Sequence, residues 1–181
     1  MKNNTERNGY NPMPLCDSHI HIHHSDRAEL PITVDDTCTF LKNLMEYFSY
    51  DRLCIQALTP YSSGAVDFSI NVKSLYCKAK LNELLAPKRQ VYANANLIHV
   101  FNTDVDPTRE LMLQARAAYD AGFDGFKILD GKPNLRKQLG YGLNDIRYEQ
   151  FFQYAEQLAI PIVLHTGDPH EMWLPKLDKS G

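Results

Sequence analysis

Five short apolar segments recur along this chain at a nearly constant interval, and that period limits the fold more than any other feature. Their starts fall near residues 15, 52, 91, 125 and 161, so successive starts are 34 to 39 residues apart. Each of the first four is followed by a stretch with helical periodicity. Leu41, Leu44, Met45 and the aromatics Phe40 and Phe48 repeat at helical spacing after the first. Val72, Leu75, Tyr76 and Ala79 form the expected buried stripe after the second, and Leu111, Ala115 and Ala118 after the third. Phe151, Phe152, Ala155 and Leu158 follow the fourth, and the stripes Phe40/Phe48 and Phe151/Phe152 read as core. Repeated strand–helix units of this length build parallel sheets through right-handed crossovers.

Local signals place the boundaries. Asp35 and Asp36 suit the N-cap of the first helix and Asp67 that of the second, and Asp106-Pro107 puts a cap before a proline at the first helical position. Gly122 stops the third helix, and Asp145 caps the fourth. Residues 130–144 read as a long polar loop, and residues 1–14 as a flexible lead-in before a domain spanning 15–181. Four helices and five strands are expected in all.

Two architectures accommodate that pattern. An open doubly wound sheet of five strands fits 181 residues well, but the first strand lacks the glycine-rich phosphate loop of a dinucleotide fold. A (β/α)8 TIM-barrel-type fold needs about 250 residues, so this α/β chain would supply only its first five strands and four helices. The expectation favours such a partial barrel.

The first strand, about Leu15–Ile20, runs into a loop through Cys-Asp-Ser-His-Ile-His-Ile-His, residues Cys16–His23. Side chains on an extended strand alternate between faces, so Asp17, His19 and His21 are expected to share one. Two imidazoles two residues apart on a strand can reach one metal ion, whereas on a helix they would splay about 200° apart. A run of solvated histidines is the plainer alternative. In parallel folds functional groups collect at the C-terminal ends of strands. Gln56, Asn96, Lys127 and His165 each break the apolar pattern at or near such an end. Three imidazoles, His19, His21 and His165, would make a catalytic-type site with water in an open position. For His165 a core histidine bonded to backbone is the lesser alternative.

Lys127 falls on a strand covered on both faces, where an ammonium is costly unless paired or open to the mouth. Binding an anionic substrate group, carbamylation as a bridging metal ligand, and pairing with Asp130 are its three readings; substrate or structural pairing ranks above carbamylation. Lys132 and Arg136 in the following loop could meet a carboxylate or phosphate. His23, His24, His99 and His170 fall on the same side, and Trp173 could cap a pocket or pack on the rim.

Composition excludes several classes. A net charge of −3 with no basic block argues against a nucleic-acid partner. The longest apolar run, residues 158–164, is interrupted by Pro161 and too short to cross a bilayer, and the polar N-terminus has no signal-like apolar core. Cys16, Cys38, Cys54 and Cys77 lack metal or redox spacing, so buried reduced thiols and a cytoplasmic location are expected.

Asp17-Ser-His-Ile-His21, Gly125-Phe-Lys-Ile-Leu129 and Ala159-Ile-Pro-Ile-Val-Leu-His-Thr-Gly167, in that order, resemble the amidohydrolase superfamily, most closely its amidohydrolase-related hydrolases and decarboxylases. The first motif is shared with deoxyribonuclease-like and phosphatase barrels. The resemblance implies a (β/α)8 barrel with His19 and His21 as first-strand metal ligands and His165 as the fifth-strand ligand. It implies a divalent metal ion as cofactor, with Zn2+ first among the candidates, and metal-activated water attacking a C–N or C–O bond of a small-molecule substrate. Lys127, Asn96 and Lys132 would face that substrate. The resemblance further implies a histidine after strand six and an aspartate general base after strand eight, both expected beyond residue 181. The alternatives are a decarboxylase with the same ligands, a phosphoesterase, or a non-catalytic incomplete barrel whose uncovered edges drive homo-oligomerisation.

Overall fold

The computed structural model describes residues 13–23, 33–58, 68–98 and 106–169. Strands β1 (Cys16–His23), β2 (Arg52–Leu58), β3 (Gln90–Leu97), β4 (Gly125–Ile128) and β5 (Ile162–Leu164) form one parallel sheet. Their order in space is β1-β2-β3-β4-β5, the order of the chain. A doubly wound sheet reverses its strand order at a switch point, and this one never does. The open doubly wound alternative is thereby excluded, and the five strands match one side of a barrel.

The sheet is also curled. Between β1 and β4 lie three strand spacings, roughly 14 Å in a flat sheet. Yet Lys127 Nζ on β4 sits 3.4 Å from His19 Nε2 on β1. Side chains stand perpendicular to a sheet, so the two can meet only if the strands bend around a common concave face.

Helices α1 (Val34–Phe48), α2 (Ser69–Leu85), α3 (Pro107–Asp120), α4 (Pro133–Leu139) and α5 (Glu149–Gln157) complete the described elements, with a 3-10 turn at Ile146–Tyr148. Five helices therefore stand where four were expected. The extra one, α4, lies inside the presumed loop 130–144, started by Pro133 and ended by Gly140 in the left-handed region at φ 73°. Both residues are helix punctuation, so its signal was present in the sequence. Asp145 caps the 3-10 turn that leads into α5 rather than the helix itself.

The core lies between the helices and the outer sheet face, where Leu53, Ile55, Ala57, Val91, Ala93, Ala95, Phe126 and Ile128 are buried. On α1, Thr33 takes the cap and Asp36 answers from the third helical position, each bonding the other's backbone N–H at 3.0 and 3.1 Å. Asp35 and Asp36 thus sit inside the first turn, because a capping box needs the acid three residues after the cap. The expected phase of two helices is corrected. Phe40 is 61% exposed, and Val72 and Tyr76 on α2 are 67% and 52% exposed. The face α2 turns inward is Ile70, Asn71, Ser74, Cys77 and Leu81, because polar groups there have backbone to satisfy. Asp67 lies outside the described residues, as do residues 1–12 of the expected lead-in 1–14.

Asn71 shows why. Pairing between β2 and β3 ends at Gln56 and Asn94. Beyond that point Asn71 Oδ1 accepts the Asn96 N–H at 2.8 Å and Nδ2 donates to the Asn96 carbonyl at 2.9 Å. Gln114 of α3 brackets Ile98 in the same way (2.9 and 2.6 Å), and Asn82 of α2 brackets Val91 (2.7 and 2.8 Å). Helix amides take over backbone groups that a neighbouring strand would otherwise satisfy, and β3 is held at both ends.

Replacing Asn71 with Leu leaves two buried backbone groups of Asn96 unsatisfied, with an expected loss of about 2–4 kcal/mol. Urea unfolding checks this, with the exposed neighbour Val72→Ala as the near-silent control; a loss below about 0.5 kcal/mol would refute the bracket's importance.

Candidate functional site

The inner sheet face opposite that core is lined with polar side chains. Gln56, Asn94, Asn96 and Lys127 are all buried there. Asn94 Nδ2 donates to Gln56 Oε1 at 3.1 Å, and Gln56 Nε2 donates to the Ser18 carbonyl at 3.0 Å. Gly125 makes room for this chain, since a Cβ there would fall 2.4 Å from Asn94 Oδ1.

The two histidines of β1 meet on this face. His19 Nε2 and His21 Nε2 are 2.8 Å apart, with their rings edge to face at 4.7 Å between centroids. One nitrogen carries the proton and the other accepts it. Asp17 does not keep strict alternation with them. A bulge shifts the register between Asp17 and Ile20, and Asp17 pairs with Leu53 instead of with the inner row. Its Oδ1 accepts the His19 N–H at 3.0 Å, so the carboxylate braces the bulge that aims His19.

Lys127 is 2% exposed, and no carboxylate among the described residues pairs with its ammonium. The Asp130 pairing considered from sequence does not form; Asp130 Oδ2 accepts the Tyr148 hydroxyl at 2.6 Å. Burial pulls the Lys127 pKa below its ordinary value, and the charge of Lys132 lowers it further. His19 is likewise held below the usual histidine range, by desolvation first, then by Lys127 and His165, with Asp17 opposing. Burial and the neighbouring Lys127 charge therefore favour a neutral imidazole at His19. Asn96 donates through Nδ2 to the carbonyls of Lys127 (3.1 Å) and Leu97 (3.3 Å), so its amide anchors the strand backbone beneath the lysine.

His165 follows β5, its N–H donating to the Ile128 carbonyl at 2.9 Å. Its ring reaches Asp168, Nε2 to Oδ1 at 2.8 Å. No role for Asp168 is expected from its sequence pattern, although it belongs to the same His-Thr-Gly-Asp segment. Gly131 presses on this segment so closely that a Cβ would fall 1.6 Å from the His165 carbonyl oxygen. Only glycine permits that approach, and it sets the height of His165 above β4.

Imidazoles facing one another suit a divalent ion, since two nitrogens on one tetrahedral Zn2+ lie roughly 3.3 Å apart. The pair His19–His21 fits that role. Among the described residues no three His, Cys, Asp or Glu side chains converge on one point, and His165 is engaged by Asp168 instead. His24, His99, His170 and Trp173 lie outside the described residues, and His23 closes β1.

Fold and site together define a parallel βα half-barrel with a polar, cationic inner face. No protein-family model matches the sequence, and no curated protein matches it. Among solved structures, the crystal structure of 4-oxalomesaconate hydratase from Rhodopseudomonas palustris is similar over 78% of this chain and 42% of that one. The chain thus spans less than half the length of that protein, at 15% identity and a TM-score of 0.46. No helix among the described residues is long and apolar enough to cross a membrane.

A side chain at position 131 must displace the His165 backbone. Gly131→Ala is expected to cost about 1–3 kcal/mol and to move the His165 imidazole resonances in a nitrogen-15 spectrum. Unchanged stability together with unchanged resonances would refute the close approach.

Proposed function

We propose that this chain forms the metal-holding part of a metal-dependent hydrolase of the amidohydrolase type, acting on a C–N or C–O bond of a small polar substrate in the cytoplasm. The observation that carries the reading is the pair of inner-face imidazoles on β1 beside a buried ammonium without a carboxylate partner. His19 and His21 would hold a divalent ion, Zn2+ first; His165, the third ligand expected from sequence, is bonded through Nε2 to Asp168 and would have to turn from that partner to join them. Such an ion, when bound, lowers the pKa of a water molecule to roughly 7 and supplies a nucleophile at neutral pH. Lys127 and Lys132 would orient an anionic group of the substrate, and Asn96 steadies the Lys127 backbone beneath it. The histidine and aspartate that the family resemblance places after strands six and eight belong to no described strand. The general base is therefore assigned to none of the residues described.

A decarboxylase of the same branch is favoured by one observation. The unpaired ammonium of Lys127 close to the imidazole pair suits a substrate carboxylate held next to the reacting centre.

Two outcomes test this reading. Protein stripped with a chelator and titrated with Zn2+ in a calorimeter is expected to bind about one ion, and His19→Ala or His21→Ala to weaken binding by more than about tenfold. Equal affinity in both variants sinks the metal assignment. Lys127 carries a stability signature of its own. Its lowered folded-state pKa means the unfolded chain binds the extra proton between that value and 10.5, so stability rises with pH across that window. Lys127→Met is accordingly expected to be more stable than the native chain at pH 7 and to lose that upward slope, read from urea midpoints at several pH values. A destabilised variant would show instead that the ammonium is satisfied where it sits.

A further inference from the structure

Two thiols outside the site meet in the helix layer. Cys38 of α1 and Cys77 of α2 are 3% and 0% exposed, and their sulfurs lie 3.2 Å apart. Both are free cysteines. The helices they join are already fastened nearby, where Lys80 Nζ of α2 bonds Asp35 Oδ1 of α1 at 2.5 Å. Asp35 and Lys80 lie three residues from Cys38 and Cys77, so the ion pair holds the same two helix turns together. A disulfide needs its sulfurs about 2.05 Å apart and its β-carbons within about 4.5 Å, and side chains already in contact across a fixed helix pair need little movement to comply.

We infer that Cys38 and Cys77 are a modification site, an oxidisable pair that a low-molecular-weight disulfide such as oxidised glutathione converts into an intramolecular bond fastening α1 to α2. In the first step one cysteine, as its thiolate, attacks a sulfur of oxidised glutathione. The protein–glutathione disulfide forms, the glutathione S–S bond breaks, and one glutathione leaves and takes up a proton. In the second step the other cysteine gives up its proton and attacks the protein sulfur of that mixed disulfide, releasing the second glutathione. Two protein thiols are oxidised and one glutathione disulfide is reduced to two thiols.

The closed helix pair resists this reaction. Desolvation, with the neighbouring Cys38 thiol, pushes the Cys77 thiol up to about 12, so little thiolate is present at neutral pH. The reagent also has no path to buried sulfur. Oxidation therefore waits on opening of α1 from α2, and mild urea accelerates it. Neither remaining cysteine competes as an internal partner. Cys16 is exposed on β1, and Cys54 lies half-buried on the inner face, its thiol pushed up to about 11 mainly by burial and its sulfur 3.4 Å from Gln56 Nε2.

The test uses the full chain carrying Cys16→Ser, which removes the exposed thiol and leaves three of the four cysteines. After incubation with oxidised glutathione, the thiols counted under denaturing conditions are expected to fall from three to one. The intact mass should drop by two hydrogens, and peptide mapping should join position 38 to 77. The melting temperature should rise by about 5–10 °C and return on reduction with dithiothreitol. Adding Cys38→Ser, or separately Cys77→Ser, should abolish the crosslink and the shift. Three thiols surviving prolonged oxidation in mild urea would overturn the inference. So would a bridge to Cys54, a stable glutathione adduct with no bridge, or a 38–77 bridge without a rise in melting temperature.

Discussion

Everything at the inner face depends on the curl of the sheet. Lys127 and His19 are more than one hundred positions apart in sequence and three strands apart in the ladder, yet they touch. In a flat sheet these two side chains would project in parallel and never meet. The twist inherent in parallel strands, maintained in one direction because the strand order never reverses, turns a row of separate strand-end residues into one concave surface.

That surface is expensive. Gln56, Asn94, Asn96 and Lys127 fill positions where a parallel sheet ordinarily buries aliphatic side chains. The amides are made tolerable by bonding to one another and to backbone, from Ser18 across to Lys127. The outer face offsets the cost with a continuous apolar layer, and the helix amides Asn71, Asn82 and Gln114 secure β3 from behind. The ammonium of Lys127 is the group this framework leaves without a carboxylate. Its nearest polar neighbour on the inner face is the His19 imidazole, 3.4 Å away.

The mistaken expectations have a common physical origin. Sequence periodicity marks which residues are apolar, but not which apolar residues a helix turns inward when polar groups compete for that face. On α2 the backbone of Asn96 needed Asn71, so Val72 and Tyr76 rotated into solvent. On α1 Phe40 yielded the inward face to Thr37, Cys38, Leu41 and Met45. Likewise Asp17 looked like a third member of the His19–His21 row, until a single extra residue in β1 carried it out of register. Helix α4 was legible in Pro133 and Gly140, hidden only by the polar residues between them.

By itself the sequence determined the strand–helix alternation, four of the five helices, the strands that bear His19, His21 and Lys127, and the strand that His165 follows. Those follow from local rules, since period, capping and turn chemistry act within a few residues. Tertiary structure alone decided that the sheet is singly wound and curled, that the β1 imidazoles face each other beside Lys127, and that Asp168 and Gly131 govern His165. Each of these is a contact between distant segments, and its geometry exists only once the strands have taken their order and the sheet has closed around its inner face.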